Sequence, residues 1–255
     1  ILVRQVQFER QLERNAGVRC ERIRERGGAL VGRVLPRAER VPRLGLTVIV
    51  RRRLGLGLAK QHVNHAGSVV RLAVVREMAN ELQDYLLGEE VYYTLLVVTS
   101  QGEERIQSSC GDLLARLHKL AGQTKLLSPA QVDELSSIHR RIDATTKTMQ
   151  ARYHALILRE VRARLNSLQW FLDDCDEDLR QCRVQYPFEI RNRQRIAELV
   201  KVLGDKQPAD IQAEIAATDR RLRETTVSAD FVWDKRVKEV YAREEYWYLY
   251  VLPTV

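Results

Sequence analysis

The most acidic stretch of the chain offers carboxylates that a calcium ion could use. Acidic side chains crowd residues 173–178, and from Asp174 onward they follow the Asp-x-Asp-x-Asp spacing with which a calcium-binding loop begins. Such a loop then needs glycine and a closing glutamate, where this chain has Leu179 and Gln185. We therefore interpret the stretch as a junction between two helices, with acids favouring the second helix dipole, and we predict no metal and no cofactor.

Two cysteines beside this junction could form a disulfide only under one condition. Cys175 and Cys182 are seven residues apart, so a continuous helix would separate their Cα atoms by about 10 Å. A disulfide requires a Cα separation of about 7 Å or less. We expect buried thiols unless the helix breaks between the two cysteines. A redox or metal cluster with Cys110 is not favoured, because the chain has no Cys-x-x-Cys pair.

Catalytic motifs are not evident, and this argues against most classes of enzyme. The sequence has no nucleophile elbow, Walker loop or zinc-protease motif. The Glu-x-x-His pattern of metal sites in helical bundles is absent at all five histidines. A metal-dependent enzyme that combines the acidic junction with His118, His139 or His154 is therefore the weakest of three functional hypotheses.

Three arginines could follow the phosphates of a nucleic acid. Arg141, Arg152 and Arg159 fall within about 20° of one another on a continuous helix. Long charged side chains also commonly flank the apolar seam of a coiled coil, and we favour this interpretation. The three arginines are candidate partner-binding residues under either interpretation.

The C-terminal tail is the most unusual local feature of the sequence. Its Tyr246, Trp247, Tyr248 and Tyr250 could stack on nucleobases or form the centre of a protein interface. The tail could also pair with residues 91–99 as a short ribbon. We favour a third interpretation, in which the rings pack across the helices and close the core.

Charge divides the chain into two parts. Residues 1–77 hold 17 Lys and Arg against 6 Asp and Glu, a net of +11, whereas residues 78–255 hold 25 against 28, a net of −3. The first part has a single aromatic residue, Phe8, so we expect it to be poorly structured. Three interpretations stay open: a basic arm for nucleic acid or membrane, a targeting segment, or translated upstream DNA, with the native chain starting at Met78.

The second part predicts helices that must position these residues. The strongest prediction is one long helix from Ser128 to about Leu172, opened by a Ser-Pro-Ala-Gln capping pattern. Its apolar stripe rotates along its length, so the helix either kinks or meets different partners. We also predict helices over 79–98 (91–98 being equally prone to form a strand), over 104–121, from Pro187 to Leu203, and after Pro208.

Together these patterns predict an all-α protein, a long helix with shorter helices packed back on it. The leading functional hypothesis is an intracellular interaction or scaffolding module that binds a protein partner or itself through the long helix. The alternative is a nucleic-acid-binding protein that uses the basic N-terminal arm. We expect no membrane span, since no apolar run approaches 20 residues, and a cytoplasmic location.

Overall fold

The computed structural model describes the backbone of residues 56–99 and 102–254, and the side chains of residues 71–98 and 102–254. Within these ranges the chain is predominantly helical, which confirms the all-α prediction. The helices are α1 (Leu56–Leu87), α2 (Cys110–Ala121), α3 (Pro129–Thr148), α4 (Gln150–Glu177), α5 (Leu179–Glu189), α6 (Arg191–Leu203) and α7 (Ala209–Glu224). Two antiparallel ribbons pair β1 (Tyr93–Thr99) with β2 (Gly102–Ser108), and β3 (Thr226–Ser228) with β4 (Val251–Pro253).

The first helix continues across the boundary that composition suggested. α1 passes through Met78 without a break, and Leu72, Val74 and Val75 are buried in the same core as Met78. The predictions for residues 1–55 lie outside the described residues, and a native start at Met78 stays a prediction. None of the helices described here is both long and apolar enough to cross a membrane.

The predicted capping pattern opens the long helix. The Ser128 hydroxyl accepts a hydrogen bond from the Gln131 backbone N–H at 3.4 Å, and the Gln131 side chain accepts one from the Ser128 N–H at 2.9 Å. These reciprocal bonds satisfy two amides that the first turn leaves without helical partners. The start of α3 is therefore confirmed.

The long helix is divided in two. Met149, with φ −109° and ψ 30°, separates α3 from α4. Just before it, the hydroxyls of Thr146 and Thr148 donate to carbonyls one turn earlier, a pattern that bends helices. The apolar stripe also meets different partners along its length, because its positions up to Leu165 lie in one core and those from Leu168 onward lie in another.

The helix favoured over residues 91–98 is wrong, because Tyr93–Thr99 form strand β1. Leu95 and Val97 are buried whereas Leu96 and Val98 are more than half exposed. Since the exposed positions are also apolar, the period of two is invisible in the sequence. The helix predicted from residue 104 begins only at Cys110, after β2. The predicted ribbon between the tail and residues 91–99 is also wrong, because the tail strand β4 pairs with β3.

Two further predictions fail at the acidic junction. Asp178 lies outside both flanking helices and accepts a hydrogen bond from the Gln181 N–H, so α4 ends and α5 begins there. This break brings the Cα atoms of Cys175 and Cys182 to 5.0 Å, and the two form a disulfide instead of the expected thiols. Pro187 lies inside α5, not in the first turn of a helix to Leu203. No group of three metal-ligating side chains occurs among residues 71–98 and 102–254.

The described residues bury two cores. The first is mainly aliphatic and includes residues of α1, β1, α2, α3, the first half of α4 and α6. The second is aromatic and lies between the end of α4, α5 and the C-terminal segment. The apolar stripe of the long helix belongs to these cores, including Leu135, Ile138, Ile142, Tyr153 and Leu156.

A buried carboxylate holds the start of α2 against α4. Glu160 on α4 is 0% exposed, and its oxygens accept hydrogen bonds from the Ser109 hydroxyl at 2.7 Å and the Gly111 N–H at 3.0 and 3.1 Å. A Cβ on residue 111 would approach Glu160 Oε1 to 2.5 Å, so only glycine fits there. Arg164, one turn further along α4, donates to Glu160 at 2.7 Å.

The same network reaches α6. Arg164 donates to the Asp112 carboxylate at 3.2 Å and to Asn192 at 3.0 Å, and Arg195 on α6 pairs with the other oxygen of Asp112. Burial alone would raise the pKa of Asp112, but Arg195 and Arg164 hold it well below its usual range. The buried charges are thus compensated, and α2, α4 and α6 are fixed to one another. We call these five residues, Ser109, Asp112, Glu160, Arg164 and Arg195, the ionic network.

Neutralising Glu160 should destabilise the protein strongly. We expect Glu160→Gln to lower the free energy of unfolding by roughly 3 kcal/mol, since it leaves Arg164 buried with a weaker counter-charge. Urea unfolding followed by circular dichroism measures the loss. The matched control is Glu81→Gln on the exposed side of α1, expected within about 0.5 kcal/mol of wild type. Equal stability of the two variants would contradict the role given to Glu160.

Loss of the disulfide should destabilise the α4–α5 junction. We expect Cys175→Ser to lower the free energy of unfolding by about 2 kcal/mol, the typical contribution of a short closed loop. A reducing agent should lower the stability of the wild type by a similar amount and leave that of the variant unchanged. If the reducing agent affects neither protein, the disulfide is absent in solution.

Candidate anion-binding groove

A groove runs along one face of α2 and contains two adjoining cavities. The cavities have volumes of about 500 Å³ and 430 Å³, and they share Arg71, Lys119, Asp234 and Val237 in their walls. The larger cavity extends past the end of α2, and the smaller one extends to the start of α6. The opposite wall comes from the C-terminal segment 232–240. We call this feature the anion-binding groove.

Helix α2 presents cations to the groove because its opposite face is buried. Leu113, Leu117 and Leu120 pack into the first core. Arg116 and Lys119 lie on a different face of the helix, which points away from this core. The ionic network fixes the first turn of α2, so the direction of both cationic side chains is set by buried contacts.

The end of α2 is fixed by a glycine and a glutamine. A Cβ on Gly122 would come within 2.7 Å of Val240, so the absence of a side chain lets the segment 235–240 approach. Gln123, which is 8% exposed, donates to the Arg236 carbonyl at 3.3 Å and accepts from Arg71 at 2.8 Å. Gln123 therefore holds the Arg71 guanidinium between α2 and the C-terminal segment.

Positive charge exceeds negative charge in both cavities. The larger cavity has four cations and two carboxylates in its wall, a net of +2, namely Arg71, Lys119, Lys125 and Arg236 with Asp234 and Glu239. The smaller has five cations and one carboxylate, a net of +4, namely Arg71, Arg116, Lys119, Arg191 and Arg195 with Asp234, although Arg195 is already paired with Asp112 of the ionic network. Asp234 is already paired with Arg236.

Several of these cations lack a compensating partner. Arg116 and Lys119 form no side-chain hydrogen bond or ion pair with any residue whose side chain is described. Arg191 lies over the Phe188 ring, with its guanidinium carbon 5.1 Å from the ring centroid. Among the residues whose side chains are described, Arg71 bonds only to the neutral Gln123 side chain. The groove thus differs from the ionic network, where each buried charge faces an opposite charge.

Burial and mutual repulsion show in the pKa values of the groove. Burial, together with the nearby Arg71 guanidinium, lowers the pKa of the Lys119 amine to about 8. Burial also lowers the pKa values of Arg71, Arg116 and Arg191, and a neighbouring arginine acts in the same direction in each case, whereas Asp234 acts to raise that of Arg71 and Asp112 acts to raise those of Arg116 and Arg191. The half-buried and mutually repelling cations Arg71, Arg116 and Lys119 form an arrangement typical of a site for an anion.

The aromatic tail lies mostly inside the second core. Tyr246, Tyr248 and Tyr250 are at most 6% exposed, and Trp247 is half-buried with the Arg223 guanidinium 3.7 Å from its ring centroid. Tyr246 donates to Glu198 at 2.8 Å. A partner-binding role of the tail stays a prediction, and the three buried tyrosines offer little surface for it.

The predicted arginine stripe is exposed but lies outside the groove. Arg141, Arg152 and Arg159 are on the solvent side of α3 and α4. Arg141 bonds to the Asn80 side chain, and Arg152 donates to the Leu87 carbonyl at 3.3 Å. Their role in binding a partner stays a prediction.

Sequence reasoning missed the groove because its cations are far apart along the chain. They come from α1, α2, α6 and the segments that follow α2 and precede the tail, and no stretch of sequence holds more than a few of them. No protein-family model, no curated protein and no solved structure matches this chain, so function is inferred from geometry alone.

Removing the Lys119 charge should stabilise the protein. Because the pKa of Lys119 is lowered in the folded state, its charged form opposes folding at neutral pH. We expect Lys119→Met to raise the free energy of unfolding by about 1 kcal/mol at pH 7, after allowance for screening by solvent. The unfolded state binds more protons between pH 8 and 10.5, so the advantage of the variant should shrink over that window.

Urea unfolding at several pH values measures this difference. The control is Lys147→Met on the exposed side of α3, which should change stability by less than about 0.5 kcal/mol. A Lys119→Met variant less stable than wild type at pH 7 would contradict the uncompensated charge.

Proposed function

We propose that the protein is a helical binding module that holds a phosphate-bearing partner or ligand in the anion-binding groove. The observation that carries the proposal is the set of half-buried cations Arg71, Arg116 and Lys119, which form no ion pair with any carboxylate whose side chain is described. Phosphate is the anion best suited to such a set, because its charge and its several acceptor oxygens can engage more than one guanidinium at once. The proposal covers binding and assigns no catalytic step.

This proposal keeps the interaction-module hypothesis but moves its working surface. The apolar side chains of the long helix are buried against other parts of this chain. They are therefore not available for self-association. The groove offers charge complementarity, which gives specificity and fast association. Binding of a protein partner through a phosphorylated or acidic group is compatible with the proposal, and self-association through the long helix stays a prediction.

The nucleic-acid alternative and the location also stay predictions. Residues 1–55 of the basic arm, on which the nucleic-acid hypothesis rests, lie outside the described residues, whereas residues 56–77 belong to α1. The Cys175–Cys182 disulfide weighs against the cytoplasmic location, because disulfides persist mainly in oxidising compartments.

Titration with inorganic phosphate tests the proposal. At matched ionic strength, phosphate should stabilise the wild type against heat, by about 2.7 kcal/mol at a concentration one hundred times Kd. Chloride should not do so. Lys119→Met should weaken phosphate binding at least tenfold, measured by isothermal titration calorimetry, whereas the exposed Lys147→Met should leave it unchanged.

Binding should also weaken as pH rises above about 8. Phosphate gains negative charge as pH rises, which by itself favours binding, so weaker binding must come from a cation that loses its proton. Lys119 is that cation. Absence of any phosphate effect, or an equal effect in the Lys119→Met variant, would overturn the proposed function.

A further inference from the structure

The anion-binding groove is larger than a phosphate ion requires. Cavities of about 500 Å³ and 430 Å³ fall within the range that holds a small organic ligand. Because Arg71 and Lys119 belong to the walls of both, a ligand bound at these two cations can extend in either direction. The dimensions therefore indicate a ligand with an organic part beside its anionic group.

The cations indicate more than one anionic group. Arg116 and Lys119 are three residues apart on α2, a rise of about 4.5 Å. Arg71 stands opposite, held by Gln123, and Lys125 lies further along the larger cavity. Two adjacent phosphates joined in a diphosphate would let each phosphate contact its own cation while sharing Arg71. A single phosphate would leave Arg116 or Lys119 without a partner.

The smaller cavity ends at aromatic rings. Phe188 is 52% exposed although it is a large apolar side chain, and it belongs to the wall of this cavity together with the half-buried Trp233. The indole N–H of Trp233 donates to the Pro187 carbonyl at 2.8 Å, which fixes its ring. An exposed aromatic ring beside arginines can stack against a nucleobase, and such stacking depends little on which base is present.

We infer that the ligand of the groove belongs to the nucleoside diphosphate class, an inference that rests on the proposed function. Its diphosphate lies among Arg71, Arg116 and Lys119, and its base lies against Phe188 at the end near α6. Asp234 does not repel the diphosphate strongly, because Arg236 pairs with it. The nucleotide is bound without any covalent step.

Calorimetry of the full chain with four probes tests the inference. The probes are inorganic phosphate, pyrophosphate, adenosine diphosphate and adenosine. We expect pyrophosphate to bind at least tenfold more tightly than phosphate, because it engages both α2 cations. Adenosine diphosphate should bind roughly 5- to 100-fold more tightly than pyrophosphate through stacking, and adenosine alone should bind weakly.

A substitution of Phe188 distinguishes the contribution of the base to binding from that of the phosphates. Phe188→Ala should weaken adenosine diphosphate binding about tenfold and leave pyrophosphate binding unchanged, because the ring contacts the Arg191 guanidinium and the base but none of the three cations that hold the diphosphate. Trp170→Ala, an exposed aromatic on α4 outside the groove, should change neither.

The outcomes distinguish this inference from the proposed function. If phosphate binds in a Lys119-dependent manner but adenosine diphosphate binds no more tightly than pyrophosphate, the nucleotide inference is overturned and the proposed function stands. The same holds if Phe188→Ala weakens both ligands equally. If none of the probes binds, both fall.

Discussion

The ion pair between Glu160 and Arg164 is the interaction on which the rest of the structure depends. Removing two charges from water is unfavourable by several kcal/mol for each ion, and the pair persists only because every remaining polar atom is satisfied. Ser109, Gly111 and Asp112 supply these bonds from the first turn of α2, and Asn192 from α6. The guanidinium of Arg164 also lies 5.6 Å from the Tyr92 ring centroid, beside the first hairpin. One buried pair thus fixes the relative positions of three helices.

The groove follows from this constraint. With its first turn fixed by the ionic network and its end fixed by Gly122 and Gln123, α2 has a single orientation, and that orientation directs Arg116 and Lys119 towards Arg71. The ionic network and the groove both contain buried or half-buried arginines, but these affect stability in opposite directions. Inside the network each cation has a carboxylate, and the charges stabilise the fold once assembled. Along the groove the cations repel one another, and this repulsion lowers the stability of the folded protein. Such an arrangement is typical of a ligand-binding site.

Sequence predicted the elements whose signals are local. The Ser128 capping pattern, the all-α class and the replacement of a calcium loop by a helix junction each depend on a few neighbouring residues. Strand β1 was missed because Leu96 and Val98 are apolar although exposed, and the disulfide because one residue, Asp178, interrupts the helix. The groove could not be predicted, since its cations come from elements that are far apart along the chain and are brought together only by tertiary packing. The sequence around Lys119 indicates a polar helix face, but it does not indicate which residues face that helix across the groove.

The most direct test of the account is the titration of the Lys119 amine by NMR, in protein labelled on its lysine side chains and assigned by comparison with Lys119→Met. A pKa of about 8 is the value that half-burial beside Arg71 predicts. It would show that Lys119 lies half-buried beside other cations in solution. In phosphate-free buffer, a pKa at or above the ordinary lysine value of 10.5 would show that Lys119 is solvated or paired with a carboxylate of the protein, and would contradict the groove as a site for phosphate.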